Sequence, residues 1–411
     1  MATVASILVL GAVLALVAWG RLPDVLVAVP AALVVLALGL VELADVGDTF
    51  DRLGPTLAFL AAIFVFAEVA RDAGIFDATG ALLAARAGTT RQLVVAVSAA
   101  AVVVTVLMSL DATAVLFTPV VIQVVRTRRA PPDPPLLATV QLANASSSLL
   151  PVSNLTNLLV FSATGLTFGG FALRMALPTA AAAVVVVAVA VRRTDRARLA
   201  STDGDAPSPG LDRFGWFVVG ALGVLTVAFF VGSAAGIDPA WIAAAGAVVV
   251  GGAAVARGRA RPLPLLAATA PQFLLFVLAL AVVVDAAVGH GLGEVARDVI
   301  PHGDGLPALL AMTGLAALLA NLVNNLPATL VLTSVIPGGA TASLLAMLIG
   351  VNVGPNLTYT GSLATLLWRR VVRGAGLEPS RRAFFRFALL ATPLALVLST
   401  VMLWLTLQVT G

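Results

Sequence analysis

The sequence predicts an all-α polytopic membrane protein of two inverted-topology repeats, with about ten transmembrane helices and two re-entrant helical hairpins. Three observations carry that expectation. Of the 411 residues 60% are apolar and 11% charged, with a mean hydropathy of +1.07, whereas soluble domains sit near roughly 45–50% and 25%. Apolar runs of about eighteen residues or more recur along the chain, long enough to cross a bilayer as helix. The order of these runs in the first half returns in the second. A soluble enzyme is excluded, and lipid is the solvent for most of the molecule.

Plain spans are expected near 4–20, 25–43, 53–70 and 173–191, then near 214–232, 240–256, 269–288 and 387–408. No Arg precedes the first run and no small-residue cleavage site follows it, so it reads as a span and not as a secretory leader. Four other apolar stretches, 92–125, 136–165, 305–337 and 343–368, are interrupted at mid-length by polar, Gly and Pro residues. The longest hydrophilic segment, 192–213, has the Asp, Ser, Pro and Gly content of a flexible linker. It divides a first repeat, 1–191, from a second, 214–411. Each half then reads as three plain spans, two broken stretches and one more plain span.

Charge sets the expected topology. If 92–125 and 305–337 are hairpins that enter and leave on one side, while 136–165 and 343–368 cross as discontinuous helices, each half crosses an odd number of times and the halves are inverted. With both termini outside, 21 of the 24 basic residues, all of them Arg, face the cytoplasm. Only Arg52, Arg174 and Arg297 remain outside, as the positive-inside rule asks of a plasma-membrane protein. Charge treats a hairpin and a pair of full crossings alike; the polar tips favour the hairpin.

The same rule accounts for the sequence pI near 11.0 without a nucleic-acid partner. Zero Cys excludes disulfides, thiolate metal sites and thiol nucleophiles. His290 and His302 flank one short polar stretch and lack the spacing of a zinc-binding helix pair. No metal, cofactor or enzymatic activity is expected.

Non-helical backbone at membrane depth is tolerated only where protein buries it or where it lines a cavity. Four mid-length breaks therefore point to one shared polar cavity, the arrangement that inverted-repeat transporters use to hold substrate near the midplane. Asp111 lies halfway along an apolar stretch, where a carboxylate costs roughly 2.5–3.5 kcal/mol on insertion. It is the leading candidate for proton or cation coupling, ahead of Glu68 and Asp285, which lie near the ends of spans. The neutral patches supply candidate substrate ligands: Thr113, Asn144, Ser153, Asn154 and Asn157 in the first repeat, and Asn324, Asn325, Asn352, Thr360 and Ser362 in the second. Amides and hydroxyls both donate and accept hydrogen bonds, which suits a small hydroxylated neutral solute or a dehydrated Na⁺. No Arg is expected at the midplane, so a strongly anionic substrate would depend on helix N-termini alone.

Residues 111–119 (DATAVLFTP), Pro151 to Asn157 (PVSNLTN), Asn324 to Pro327 (NNLP) and the run from Gly354 to Trp368 together resemble the arsenite/antimonite efflux permeases, ArsB type, of the ion-transporter superfamily. The likeness covers nearly the whole chain. It implies two inverted repeats, each with a re-entrant hairpin, and export of trivalent arsenite or antimonite against inward proton flow. It departs from the family pattern at Leu110, where Asn is usual, at Asn144 and Asn352, where acidic residues are usual, and at Asn356, where Lys is usual. Asn352 and Asn356 read as an ion pair exchanged for two amides, while Asn144 shows no compensation. The lack of Cys is compatible with As(OH)₃, which is neutral at neutral pH and can be held through its hydroxyls. A Na⁺/H⁺ or other small-ion antiporter and a dicarboxylate or other organic-anion carrier stay open as alternatives. So do a soluble ATPase subunit on the cytoplasmic loops and a second copy of the chain as partners.

Overall fold

The computed structural model of the chain describes residues 2–19, 22–195, 197–199 and 210–410. Arg21 and half of the expected linker, Arg196 and residues 200–209, lie outside the described residues. Among those described, helices make up nearly all regular structure, and the only strand-like pairing is an isolated bridge between Thr89 and Arg198. Among the described residues, nine helices are long and apolar enough to cross a membrane, and five shorter apolar helices accompany them. The chain is a multi-pass integral membrane protein.

The first half runs α1 (Ala2–Trp19), α2 (Asp24–Ala37), α3 (Leu43–Asp72), α4 (Ile75–Arg86), α5 (Thr90–Leu107) and α6 (Leu110–Thr127). It continues with α7 (Asp133–Ala145), α8 (Leu155–Thr164) and α9 (Phe168–Arg192). Local chemistry sets these ends. Thr89 accepts from the Gln92 amide and Gln92 reaches back to the Thr89 N–H, a capping box that starts α5. Gly165, at φ +66°, closes α8 in a conformation that favours Gly.

The second half runs α10 (Arg213–Ala234), α11 (Pro239–Ala256), α12 (Pro262–Ala268), α13 (Pro271–Ala287), α14 (Gly293–Val299) and α15 (Leu306–Val323). Then come α16 (Asn325–Val335), α17 (Thr341–Val353), α18 (Leu363–Gly374) and α19 (Arg381–Thr410). The short helices α4, α12 and α14 have no counterpart among the expected spans. At the start of α10 the Gly215 amide, together with Arg259, holds the Asp212 carboxyl below the usual range.

All four broken stretches are broken where the polar residues fall. The interruptions lie at Met108-Ser109 between α5 and α6, at 146–154 between α7 and α8, at Asn324 between α15 and α16, and at 354–362 between α17 and α18. The two longer breaks are copies of each other. Helix α17 begins 208 residues after α7 (341 against 133), ends 208 after it (353 against 145), and α18 begins 208 after α8 (363 against 155).

Small residues let these elements approach. A Cβ on Gly350 would stand 2.5 Å from the Thr313 carbonyl oxygen, and one on Gly354 would stand 2.5 Å from Ala317 Cβ. This Gly-x-x-x-Gly pair seats α17 and its following turn on α15, the small-residue contact that membrane helices use in place of water-driven burial.

Contacts between loops group them by face. Arg128 donates to the Ala87 carbonyl and Arg126 to that of Ala375, while the Thr90 amide donates to Ala197 at 3.0 Å. Ala87 precedes α5 and Arg128 follows α6, so both ends of the 90–127 unit lie together. At the other end of the molecule Arg174 donates to the Thr410 carbonyl at 2.9 Å, and Arg52 pairs with Asp285 at 2.5 Å. The apolar interior divides accordingly. One cluster surrounds the broken helices with α9 and α19; a second joins α1, α2, α3 and α13 to Leu155, Leu159, Leu326 and Leu330 of α8 and α16.

Candidate functional site

Four helices begin at one cavity of about 260 Å³. Ser109 Oγ accepts from the Ala112 amide at 3.0 Å to cap α6, Asn154 Oδ1 accepts from Thr156 at 3.2 Å to cap α8, and Ser362 Oγ accepts from Thr365 at 3.1 Å to cap α18. The fourth start, α16, follows Asn324, whose φ of +80° and ψ of 155° are costly for a residue with a side chain. Its amide reaches the Thr360 carbonyl at 3.3 Å, and the Asn325 N–H donates to Gly361 at 3.0 Å, which ties α16 to the α17–α18 break. Leu110, Leu155, Leu326 and Leu363 from these first turns all line the cavity. Unpaired N–H groups and aligned peptide dipoles give such ends positive character.

Within that ring stands Asp111, in the first turn of α6. Among the described residues its carboxylate accepts no hydrogen bond and pairs with no cation, so its face is left to the cavity. Asn154, Thr156, Asn324 and Asn325 supply the remaining polar wall, and Phe273 and Phe276 of α13 the apolar one. The lining continues to exposed Leu22, Pro23 and Arg370, with half-buried Asp24. Arg370 belongs to the same helix end as Ala375, which Arg126 contacts, so the cavity opens toward the arginine-rich face.

Comparison with known proteins follows the same lines. Residues 14–354 match the family model described as citrate transporter. The arsenical pump membrane protein of Escherichia coli (strain K12) is 30% identical over 388 residues, covering 88% of each chain. That of Yersinia enterocolitica is 30% identical over 406 residues, covering 91% of this chain and 92% of its own. The chain belongs to the ArsB-type permeases. In fold it is similar to the Alcanivorax borkumensis YdaH transporter, whose crystal structure reveals an unusual topology, with a TM-score of 0.59 at 16% identity over 94% of this chain and 97% of that one.

In this ArsB-type permease the expected ligands divide into two groups. Asp111, Asn154, Asn324 and Asn325 face the cavity. Thr113, Asn144, Ser153, Asn157, Asn352, Thr360 and Ser362 are absent from its lining, and most are bound to the protein itself. Thr113 bonds Thr105 at 2.7 Å, Ser153 donates to the Val106 carbonyl at 2.8 Å, and Asn157 to the Ser147 and Leu150 carbonyls at 2.5 and 2.7 Å. Thr360 is exposed, with its carbonyl engaged by Asn324, and Ser362 is occupied as a helix cap.

Asn144 and Asn352, each 1% exposed, brace the two long breaks against each other. Asn144 Nδ2 donates to Asn356 Oδ1 at 2.9 Å and to Thr365 at 3.1 Å; Asn352 Nδ2 donates to Ser148 at 3.1 Å and to Asn157 Oδ1 at 2.7 Å. These contacts are related by the same 208-residue offset. Two of the positions read as departures from the family pattern, Asn144 and Asn356, thus meet each other across the repeats.

Glu68 and Asp285 do not join the cavity. Arg71 pairs with Glu68 one turn along α3, and Asp285 holds Arg52 and the Thr49 hydroxyl, the latter at 2.8 Å, at the opposite end of the molecule. Asp24, Thr156 and Arg370 are the polar lining groups that the sequence reading missed. For Arg370 there was a signal: it lies seven residues after Leu363 and four after Leu366, on the same helical face as both. The expectation of no Arg concerned the midplane; Arg370 stands exposed at the cavity mouth.

Proposed function

We propose that this permease exports arsenite or antimonite from the cytoplasm in exchange for protons, by alternating access around the cavity. The observation that carries the reading is Asp111, a carboxylate with no partner among the described residues, set among helix N-termini and amides at membrane depth. Asp111 binds the counter-transported proton, and Asn154, Asn324 and Asn325 hydrogen-bond the hydroxyls of As(OH)₃. Each such bond contributes about 0.5–1.5 kcal/mol, which favours weak binding and fast release over trapping. The chain's similarity to arsenical pump membrane proteins supports the same cargo.

A second reading, an organic-anion carrier, draws on Arg370 and the positive helix ends. The test is arsenite resistance and accumulation in cells lacking their own arsenite pumps, with and without Na⁺, alongside citrate and succinate counterflow in proteoliposomes. Resistance with lowered accumulation, independent of Na⁺, is expected. No protection together with carboxylate counterflow would replace the first reading by the second, and Na⁺/H⁺ exchange without protection would assign a cation antiporter.

A further inference from the structure

Helices α8 and α16 lead away from the cavity and end at a second polar space. A pocket of about 180 Å³ is lined there by Ser162 on α8, Thr333 and Ser334 on α16, and the Arg52–Asp285 pair between α3 and α13. Ser162 lies eight residues beyond Asn154, and Thr333 eight beyond Asn325, roughly 12 Å along each helix at 1.5 Å per residue. Between the two spaces Leu155 and Leu326 face the cavity, and Leu159 and Leu330, each 5% exposed, face the pocket. Arg52 and Asp285 also border a larger space of about 430 Å³ at the same end, so the pocket adjoins a vestibule remote from the arginine-rich mouth.

The pocket's chemistry selects among solutes. Ser162 donates its hydrogen to Leu159 at 2.9 Å, Thr333 to Thr329 at 2.7 Å and Ser334 to Leu330 at 2.8 Å, so each hydroxyl oxygen keeps lone pairs to offer and no proton. Asp285 adds a further acceptor and Arg52 adds N–H donors. The guanidinium disfavours a bare cation, while Asp285 and three acceptor oxygens disfavour an anion. What remains is a small uncharged molecule carrying several O–H groups. At about 30 Å³ per water the space equals about six waters.

We propose that this pocket is a second, outer station for the cargo, occupied on the way out. The inference rests on the export reading and adds a site to it. The test uses inverted membrane vesicles holding the full chain, with arsenite as the probe on both sides. Arsenite in the lumen, which is the outer side, should inhibit uptake by occupying the station. In Thr333→Val combined with Ser334→Ala, which removes two acceptor hydroxyls, the lumenal concentration giving half-inhibition should rise about five- to hundredfold, the loss expected for two hydrogen bonds. The KM for arsenite on the cytoplasmic side should stay unchanged within error. Uptake with unaltered lumenal inhibition, or with both constants shifted equally, would overturn the outer station alone. Absence of arsenite uptake by the wild type would overturn the export reading and the station with it.

Discussion

Asn324 combines two properties that substitution can separate. Its positive φ stores strain, which Gly would relieve, while its amide faces the cavity. Asn324→Gly should therefore leave thermal stability in detergent equal or higher and still reduce arsenite export about tenfold. Asn352→Ala should show the reverse emphasis. Asn352 also accepts from Asn154 and Thr156, at 3.0 and 2.7 Å, so its removal strands several buried polar groups and should cost about 2–4 kcal/mol, read as a lowered unfolding midpoint. These two residues mark what one sequence can tell. A polar side chain at membrane depth must find a partner, and the sequence reveals that need for Asn352 and Asn324 alike. It does not reveal that Asn352 meets its need in the other repeat, because the partner lies 195 to 204 residues away.

Elements were more legible. The breaks fall at Ser109, Asn154, Asn324 and Ser362 because these residues cap or begin half-helices, and helix-starting chemistry is local. The arm lengths were less legible. α5, α6 and α15 each have 18 residues but α16 has 11, a difference that uniform apolar composition conceals. Packing between elements depends on glycines that hydropathy ignores. Gly354→Leu should prevent accumulation of folded protein, since even a Cβ there meets Ala317. Gly252→Leu should be tolerated, because no atom stands within 4 Å of its added Cβ. Fluorescence-detected gel filtration of tagged variants checks both, and equal profiles would remove the close-contact argument.

For the whole molecule, charge and contacts lead to one expectation about sidedness. Glu378 follows α18 at the arginine-rich face, and Glu294 opens α14 near the Arg52–Asp285 end. The chain has no Cys, so single cysteines at these positions report cleanly. Glu294→Cys should react with an impermeant thiol reagent in intact cells, and Glu378→Cys only in inverted vesicles. Reaction of both from one side would refute the inverted repeats. On the proposed export reading, topology and chemistry are tied together: the cavity would face the cytoplasm, and Asp111 would exchange its proton with the outer side during each cycle. The most direct measurement is arsenite uptake into inverted vesicles with an acid-inside pH gradient, comparing wild type with Asp111→Asn at equal protein level. The gradient should drive uptake in the wild type, collapsing it should stop accumulation, and Asp111→Asn should accumulate none with or without it. Gradient-driven accumulation that persists in Asp111→Asn would contradict the central role of this carboxylate.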